Sequence, residues 1–271
     1  MEHSDIDHSN MEIRQAALDA LVLSDWQGKA DMLARMPDDL AIDTTKIMSS
    51  VNGIPGRPVL QWVEPAGLRR RSVHTVEGRA ILIHALAHIE FNAINLALDV
   101  VWRFANMPEA FYRQWLSVAR EESLHFDLLN KHLQSLGFNY GDFPAHDGLW
   151  EMAERTQEDV LARMALVPRT LEARGLDASP QVRHKLASGG DPKGAAIIDI
   201  ILRDEIGHVA IGNYWYRWLC AQRGLEPVQT FAELAKRYQA PVLKGPFNLD
   251  ARRAAGFEED ELVLLGLPYS D

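Results

Sequence analysis

The sequence predicts an all-α protein with a four-helix bundle at its centre. Glycine and proline are unevenly spread along the 271 residues and delimit four long segments. Three of these segments repeat apolar residues at the i, i+3, i+4, i+7 spacing of an amphipathic helix. Alternating β-branched runs are absent outside residues 57–63. Long helices that follow one another as two pairs are typical of a four-helix bundle.

Before the bundle the sequence predicts one or two short helices and then an arm. Residues 11–36 carry apolar side chains at helical spacing, among them Ile13, Ala17 and Leu21. Residues 51–74 are expected to be extended, because a residue that precedes proline disfavours the α-helical region. The helix-breaking residues of this arm are Gly53, Pro55, Gly56, Pro58, Pro65 and Gly67.

The four long helices are expected at residues 76–105, 108–136, 149–174 and 194–223. Pro108 fits the first turn of the second helix, where a backbone N–H has no helical partner to lose. The third helix is expected to bend at Pro168 and to end before Gly175, with Pro180 in the connection that follows. From Gln229 onward we expect one more helical stretch and then loops.

These elements divide the chain into three parts. Residues 1–75 form the N-terminal helices and the arm, and residues 76–223 form the bundle. Residues 224–271 form a helical tail that packs on the bundle.

Composition restricts the class of protein. The formal net charge of −10 disfavours a large nucleic-acid interface, which needs clustered Lys and Arg residues. The single cysteine, Cys220, excludes an internal disulfide and metal sites built from several cysteines. No apolar run approaches the length of a membrane span, and residues 1–10 are polar and acidic, unlike a signal peptide. We expect a cytoplasmic protein that does not bind a membrane.

Three of the predicted helices carry carboxylates in the middle of an otherwise apolar face. They are Glu90 on the first helix, Glu122 with His125 on the second, and Glu205 with His208 on the fourth. A carboxylate on a buried face is unfavourable unless it is paired or binds a metal ion. A Glu-x-x-His motif places a carboxylate and an imidazole one turn apart, where both can reach one ion. The two motifs therefore predict metal ligation.

The spacing of these residues repeats along the chain. Glu90 precedes Glu122 by 32 residues, and Glu172 precedes Glu205 by 33. Two successive helix hairpins would each present one Glu and then one Glu-x-x-His, which is the ligand set of dinuclear carboxylate bundles. Two divalent ions would offset the four glutamate charges. The candidate metal ligands are Glu90, Glu122, His125, Glu172, Glu205 and His208.

The ligand on the third helix has an alternative. The repeat selects Glu172, which fits if the segment at residues 137–148 crosses the bundle. Glu158 lies nearer the middle of the predicted helix and fits a short antiparallel turn instead. Glu151 and Glu154 are further acids on the same helix, where a solvent-exposed face is the simpler interpretation.

Three more residues are candidates for contacts that orient the ligands. Glu121 and Asp204 each directly precede a Glu-x-x-His motif, and each could accept a hydrogen bond from the histidine of the opposite motif. A charge on the helix surface is the alternative for both. His88 is expected to be buried and hydrogen-bonded beside the ligands rather than to bind a metal ion itself.

Five stretches between residue 55 and about residue 220 carry a resemblance to a known family. They are PGRP (55–58), HALAHIEFNAINLALD (84–99), EESLHF (121–126), VPRTLEARGLD (167–177) and DEIGHVAIGNYW (204–215). Together they resemble a bacterial family of unknown function within the ferritin-like superfamily. The resemblance implies a bundle that holds two metal ions. The superfamily includes rubrerythrins, ribonucleotide reductase small subunits and a tRNA-modifying hydroxylase.

The leading hypothesis is an oxidoreductase that uses O₂ or peroxide, with two iron or manganese ions or a mixed pair. Its small-molecule substrate and its electron donor are unknown, and no catalytic residue is expected beyond the metal ligands. The arm from Gly53 to Arg71 is our candidate for shaping the substrate pocket. The second hypothesis is a ferroxidase or another metal-handling protein without an organic substrate.

Two further interpretations remain. A tRNA-modifying, hydroxylase-like enzyme is a variant of the leading hypothesis, and the net charge of −10 counts against it. A non-catalytic helical scaffold is the third hypothesis. The sequence leaves the oligomeric state open.

Overall fold

The computed structural model describes residues 12–49, 51–63 and 71–267, and the prediction of an all-α fold is confirmed for them. Helices make up 67% of the structure, and no strand occurs in the described ranges. The helices are α1 (Ile13–Leu21), α2 (Trp26–Arg35), α3 (Val76–Arg103), α4 (Glu109–Ser135), α5 (Gly148–Arg155), α6 (Val160–Leu166), a π-helix (Val167–Glu172), α7 (Ala173–Ser188), α8 (Pro192–Arg223), α9 (Pro227–Arg237), α10 (Leu249–Ala254) and α11 (Glu259–Val263).

Three of the four predicted long helices form close to their expected bounds, and their ends have clear causes. The Thr75 hydroxyl accepts a hydrogen bond from the Gly78 amide at 3.0 Å and so caps the start of α3. The Asp191 carboxylate does the same for α8, where the Gly194 amide donates at 2.8 Å. The end of α8 is set by Gly224, whose φ of +64° lies in the left-handed region that glycine adopts without strain.

The third long helix starts close to its predicted first residue, but it is interrupted and it ends later than predicted. A break separates α5 from α6, because the Thr156 hydroxyl donates to the Met152 carbonyl oxygen and the Asp159 carboxylate caps a new helix. From α6 the chain continues through the π-helix into α7. The predicted end before Gly175 is therefore wrong, and Pro180 lies inside α7 rather than in a connection.

A distant side chain explains why a proline is tolerated there. Proline has no N–H to donate to the carbonyl oxygen four residues earlier, which belongs to Leu176. The Asn248 side-chain amide donates to that oxygen instead, at 3.2 Å. Asn248 also caps α10, a helix that the sequence did not predict. The tail thus contains α10 and α11 in addition to the one helical stretch that was expected.

Contacts within the chain define two compact units, whose boundaries fall inside α3 and α4. The first unit comprises residues 1–59 and 90–124. In it α1 packs against α2. The buried guanidinium of Arg14 donates to the carbonyl oxygens of Trp102 at 2.8 Å, Asp43 at 3.0 Å and Lys46 at 2.6 Å. These bonds hold the first helix to the chain on either side of the arm.

The second unit comprises residues 60–89 and 125–271. Its central pair is α7 and α8, and α6 and the π-helix also pack against α8. Its apolar core extends into the C-terminal helices through Leu176, Val209, Ala255 and Phe257.

One helix of the described ranges, α3, has the length and apolar composition to cross a membrane. In its most apolar window 72% of the residues are buried inside the protein. This burial is typical of a core helix.

Gly212 allows α8 and the π-helix to approach closely. A Cβ atom at residue 212 would lie 2.6 Å from Cβ of Pro168, whose ring cannot rotate away. We expect Gly212→Ala to lower the free energy of unfolding by about 1–3 kcal/mol. Urea denaturation measures this change. Gly175→Ala is the control, since its Cβ would meet no described atom within 4 Å, and equal stability of the two variants would contradict the packing argument.

Candidate metal centre

Four buried side chains form a group that could hold a metal ion. Glu90 of α3, Glu122 and His125 of α4, and Glu205 of α8 each offer a ligand atom, and these atoms lie within 4.8 Å of one another. The exposed fractions of these residues are 4%, 0%, 0% and 8% in that order. We call these four residues the Glu/His cluster.

Helical spacing explains why these polar residues are buried. On α3 the apolar members of the predicted stripe are buried on both sides of Glu90. They are Ile83, Ala87, Ile94, Ala97 and Val101. On α4, Glu122 and His125 occupy consecutive turns of the row that also buries Trp115 and Leu129. Glu90 and Glu122 are therefore buried because they lie on the same helix faces as the apolar residues of the core.

The donors of the Glu/His cluster suit a particular class of ion. Three carboxylates and one imidazole supply oxygen and nitrogen, which favour iron, manganese or zinc over ions that require sulfur. Three buried carboxylates without a counter-charge would strongly oppose folding. A divalent cation would offset two of the three charges and satisfy their oxygens.

Asp204 determines which nitrogen of His125 can bind an ion. The Nε2 atom of His125 lies 3.1 Å from Oδ2 of Asp204. Hydrogen bonds from Arg203, and then from His125, lower the pKa of Asp204 below its usual value, so this group is an ionised acceptor at neutral pH. Nε2–H therefore donates to Asp204, and the lone pair of Nδ1 is left to face a metal ion.

The remaining predicted ligands lie outside the group of four. Nδ1 of His208 lies 3.7 Å from Oε1 of Glu205. The rings of His208 and His125 are 5.8 Å apart between centroids. Glu172 is half-buried at the last position of the π-helix, and its Oε2 atom is shielded from solvent. The rival ligand Glu158 is exposed, in the turn between α5 and α6.

Glu121 and His88 are the other two residues that were expected to orient the ligands, and both have described contacts. The Ser117 hydroxyl donates to Glu121 at 3.5 Å. His88 is buried, and its Nε2 lies 3.0 Å from the carbonyl oxygen of His146. Because that oxygen only accepts, Nε2 carries the proton and Nδ1 accepts from the Tyr140 hydroxyl at 2.8 Å. Both ring nitrogens of His88 are thus engaged by the connection between α4 and α5.

No sequence pattern predicted a role for Tyr140 or His146, because they lie in a connection without periodicity. The arm also contacts the connection between α4 and α5. The Val63 amide donates to the Ala145 carbonyl oxygen at 2.9 Å, and the Ala145 amide donates to Gln61 at 3.0 Å. This short pairing places the Trp62 ring 5.6 Å from the His88 ring. Residues 64–70 of the arm lie outside the described ranges.

We expect His84, which the same connection contacts, to make the stability of the protein sensitive to acid. The Gly141 amide donates to Nε2 of His84 at 3.0 Å, which requires a neutral ring. Burial, and to a lesser degree the repulsion between the protonated rings of His84 and His88, lowers the pKa of His84 from 6.5 to about 4. The unfolded chain therefore takes up this proton first, and stability falls as the pH drops from 6.5 toward 4.

Between pH 7 and pH 4, we expect His84→Gln to lose less stability than the wild type, by up to about 3 kcal/mol. The glutamine amide oxygen can still accept the hydrogen bond from the Gly141 amide. Urea denaturation between pH 7 and pH 4 measures the slope of stability against pH. His184→Gln, an exposed position on α7, is the matched control. An identical slope for wild type and His84→Gln would contradict the assignment.

Comparison with known proteins places the chain in a family. The family described as "Protein of unknown function (DUF455)" matches residues 14–263. A Haemophilus influenzae protein described as "Uncharacterized protein" is 52% identical over 220 residues, which cover 79% of this chain and 76% of that protein. No solved structure matches the chain. The chain therefore belongs to the DUF455 family.

Proposed function

We propose that this protein is a ferritin-like enzyme of the cytoplasm that uses two iron or manganese ions, with O₂ or peroxide, to oxidise a small organic substrate. The observation that carries the proposal is the buried Glu/His cluster, whose ligand atoms lie within 4.8 Å of one another. Each Glu-x-x-His motif contributes to that group. Repeated motifs of this kind are the ligand set of dinuclear carboxylate bundles.

Glu172 and His208 would complete a second metal position in this proposal. His208 lies one turn after Glu205 on α8, so both can face the same ion. The π-helix supports the choice of Glu172 over Glu158. A π-helix adds a residue to a helical turn and so changes the direction of the side chains that follow it, and such helices are frequent at functional sites.

The bound ions would supply the redox chemistry that activates O₂ or peroxide, and the protein supplies the surroundings. Asp204 fixes the tautomer of His125. The buried carboxylates would hold the ions with little access for bulk water, which would limit side reactions with solvent. His88 lies two residues before Glu90 in the sequence and contacts Tyr140 and Trp62. We assign the approach of the substrate to this wall of three side chains.

This wall favours an enzyme with a substrate over a ferroxidase, which needs no organic pocket. A change in the arm would separate these two hypotheses. Deleting residues 51–74 would remove the carbonyl oxygens of Ser72 and Val73, which bind Thr75 and Arg79 at the start of α3. Trp62→Ala is a sharper change, because Trp62 is 39% exposed and contributes little to the core.

The test loads the metal-free protein anaerobically with Fe(II) and then measures O₂ uptake. We expect uptake by the Fe(II) protein, none by a Zn(II)-loaded control, and faster uptake when the small-molecule fraction of a cell extract is added. In Trp62→Ala, iron content and basal uptake should persist while the acceleration is lost. Bound Fe(II) without O₂ uptake would refute a redox function. Unaltered acceleration in Trp62→Ala would remove the arm from the substrate site.

A further inference from the structure

A second site is suggested by a pocket in the C-terminal part of the chain. Its volume is about 230 Å³, and it lies between α9, α10 and the residues after α11. Most of its lining is apolar, and it contains none of the candidate metal ligands. Binding pockets for small molecules combine such apolar walls with a few polar groups that fix orientation.

Arg252 of α10 is the polar group that indicates the ligand. Its Nε and Nη2 atoms donate to the two carboxylate oxygens of Asp177 at 3.0 and 2.6 Å. These atoms form one edge of the guanidinium, so Nη1 points away from Asp177. Nη1 is buried and has no hydrogen-bond acceptor among the described residues, although Arg252 lines the pocket. A buried donor of this kind strongly favours an acceptor.

The other charged groups of the lining are already balanced. Glu261 accepts hydrogen bonds from Arg169 and, at 2.6 Å, from Arg217. The centroid of the Phe257 ring lies 5.1 Å from the guanidinium carbons of both Arg169 and Arg252. The charge of Glu261 is therefore neutralised and does not repel an anionic ligand. The apolar walls disfavour a ligand that carries a second negative charge.

We propose that this pocket binds a small organic monocarboxylate whose oxygen accepts a hydrogen bond from Nη1 of Arg252. Its apolar body contacts Phe231, Leu243 and Leu265. Leu264 and Leu267, which are 46% and 53% exposed, form the rim through which it enters. An apolar cavity of about 150 Å³ holds benzene, so this pocket accommodates about nine or ten non-hydrogen atoms.

Isothermal titration of the full chain with octanoate tests the proposal, and octan-1-ol is the control without a charge. We expect one saturable octanoate site and binding of octan-1-ol that is weaker by about tenfold or more, because only the carboxylate forms a charge-assisted hydrogen bond. Equal affinity for the two compounds, or no octanoate binding, would overturn the proposal.

Variants locate the binding site. Ala232→Phe fills the pocket, and Ala221→Phe makes the same change at an exposed position of α8 outside the lining. We expect the first to weaken octanoate binding by about tenfold or more and the second to leave it unchanged, with thermal unfolding as the check on folding. Arg252→Lys should also weaken binding, since one ammonium cannot replace both edges of the guanidinium. Wild-type affinity in Ala232→Phe would disprove the location, whether or not Arg252→Lys folds.

A chain that ends at Leu267 distinguishes an external ligand from an acceptor within residues 268–271. The proposal expects the shortened and the full chain to bind octanoate with the same affinity. Binding by the shortened chain alone would assign the acceptor to the chain itself and would refute the proposal.

Discussion

Replacing Glu122 or Glu205 with alanine should abolish the binding of at least one metal ion. Both carboxylates belong to the Glu/His cluster, and each is followed one turn later by a histidine of the same motif. Removing either one deletes a ligand and leaves the other buried carboxylates with less counter-charge. We expect about two iron or manganese ions per wild-type chain, measured by elemental analysis of protein purified without chelator.

Glu158→Ala is the matched control, because Glu158 is exposed and is the rival of Glu172 on the third segment. It should retain both ions, whereas Glu172→Ala should lose one. Retention of both ions in Glu122→Ala or Glu205→Ala would disprove the ligand assignment. Loss of metal should also lower the unfolding temperature, since ions that bind only the folded state stabilise it.

Altering Asp204 should weaken metal binding without removing a ligand. The carboxylate of Asp204 holds Nε2–H of His125 at 3.1 Å and thereby keeps Nδ1 unprotonated. Loss of such a partner costs about 10–100-fold in metal affinity. Asp204→Leu should show this full loss, and Asp204→Asn should show less because its amide oxygen still accepts a hydrogen bond.

Competition between the protein and a chelator for Co(II) measures this affinity, and the visible absorption of bound Co(II) reports changes in ligand geometry. Asp199→Asn is the control, since Asp199 lies on the same helix and pairs at the surface with Arg183 at 2.7 Å. If Asp204→Leu and Asp199→Asn bind Co(II) equally well, Asp204 does not position His125.

Sequence periodicity was sufficient to predict a helix and its buried face where local interactions determine them. The apolar row through Ile83, Ala87 and Ile94 buries one face of α3, and local caps such as Thr75 set its start. The same row fixes the direction of Glu90. Glu122 and His125 likewise follow from 3.6 residues per turn, so a candidate metal site on these faces could be predicted from spacing alone.

Prediction failed where a distant residue replaced a local interaction. Pro180 removes a helical hydrogen bond, and a sequence rule therefore ends the helix near it. In the folded chain Asn248 supplies the missing donor to Leu176 from 72 residues away, and α7 continues. Val63 pairs with Ala145 and Trp62 contacts His88, and in both cases the two residues are far apart in the sequence. No local pattern therefore predicts these contacts.

The sequence by itself determined the helical class, the bounds of α3, α4 and α8, and the residue types that face their buried sides. Those features depend on interactions between residues three or four positions apart, which a sequence displays directly. Only the tertiary structure decided that Asp204 meets His125, that Tyr140 and His146 hold His88, and that Arg252 lines a pocket. These contacts join segments far apart in the chain, and their geometry arises only when the helices pack.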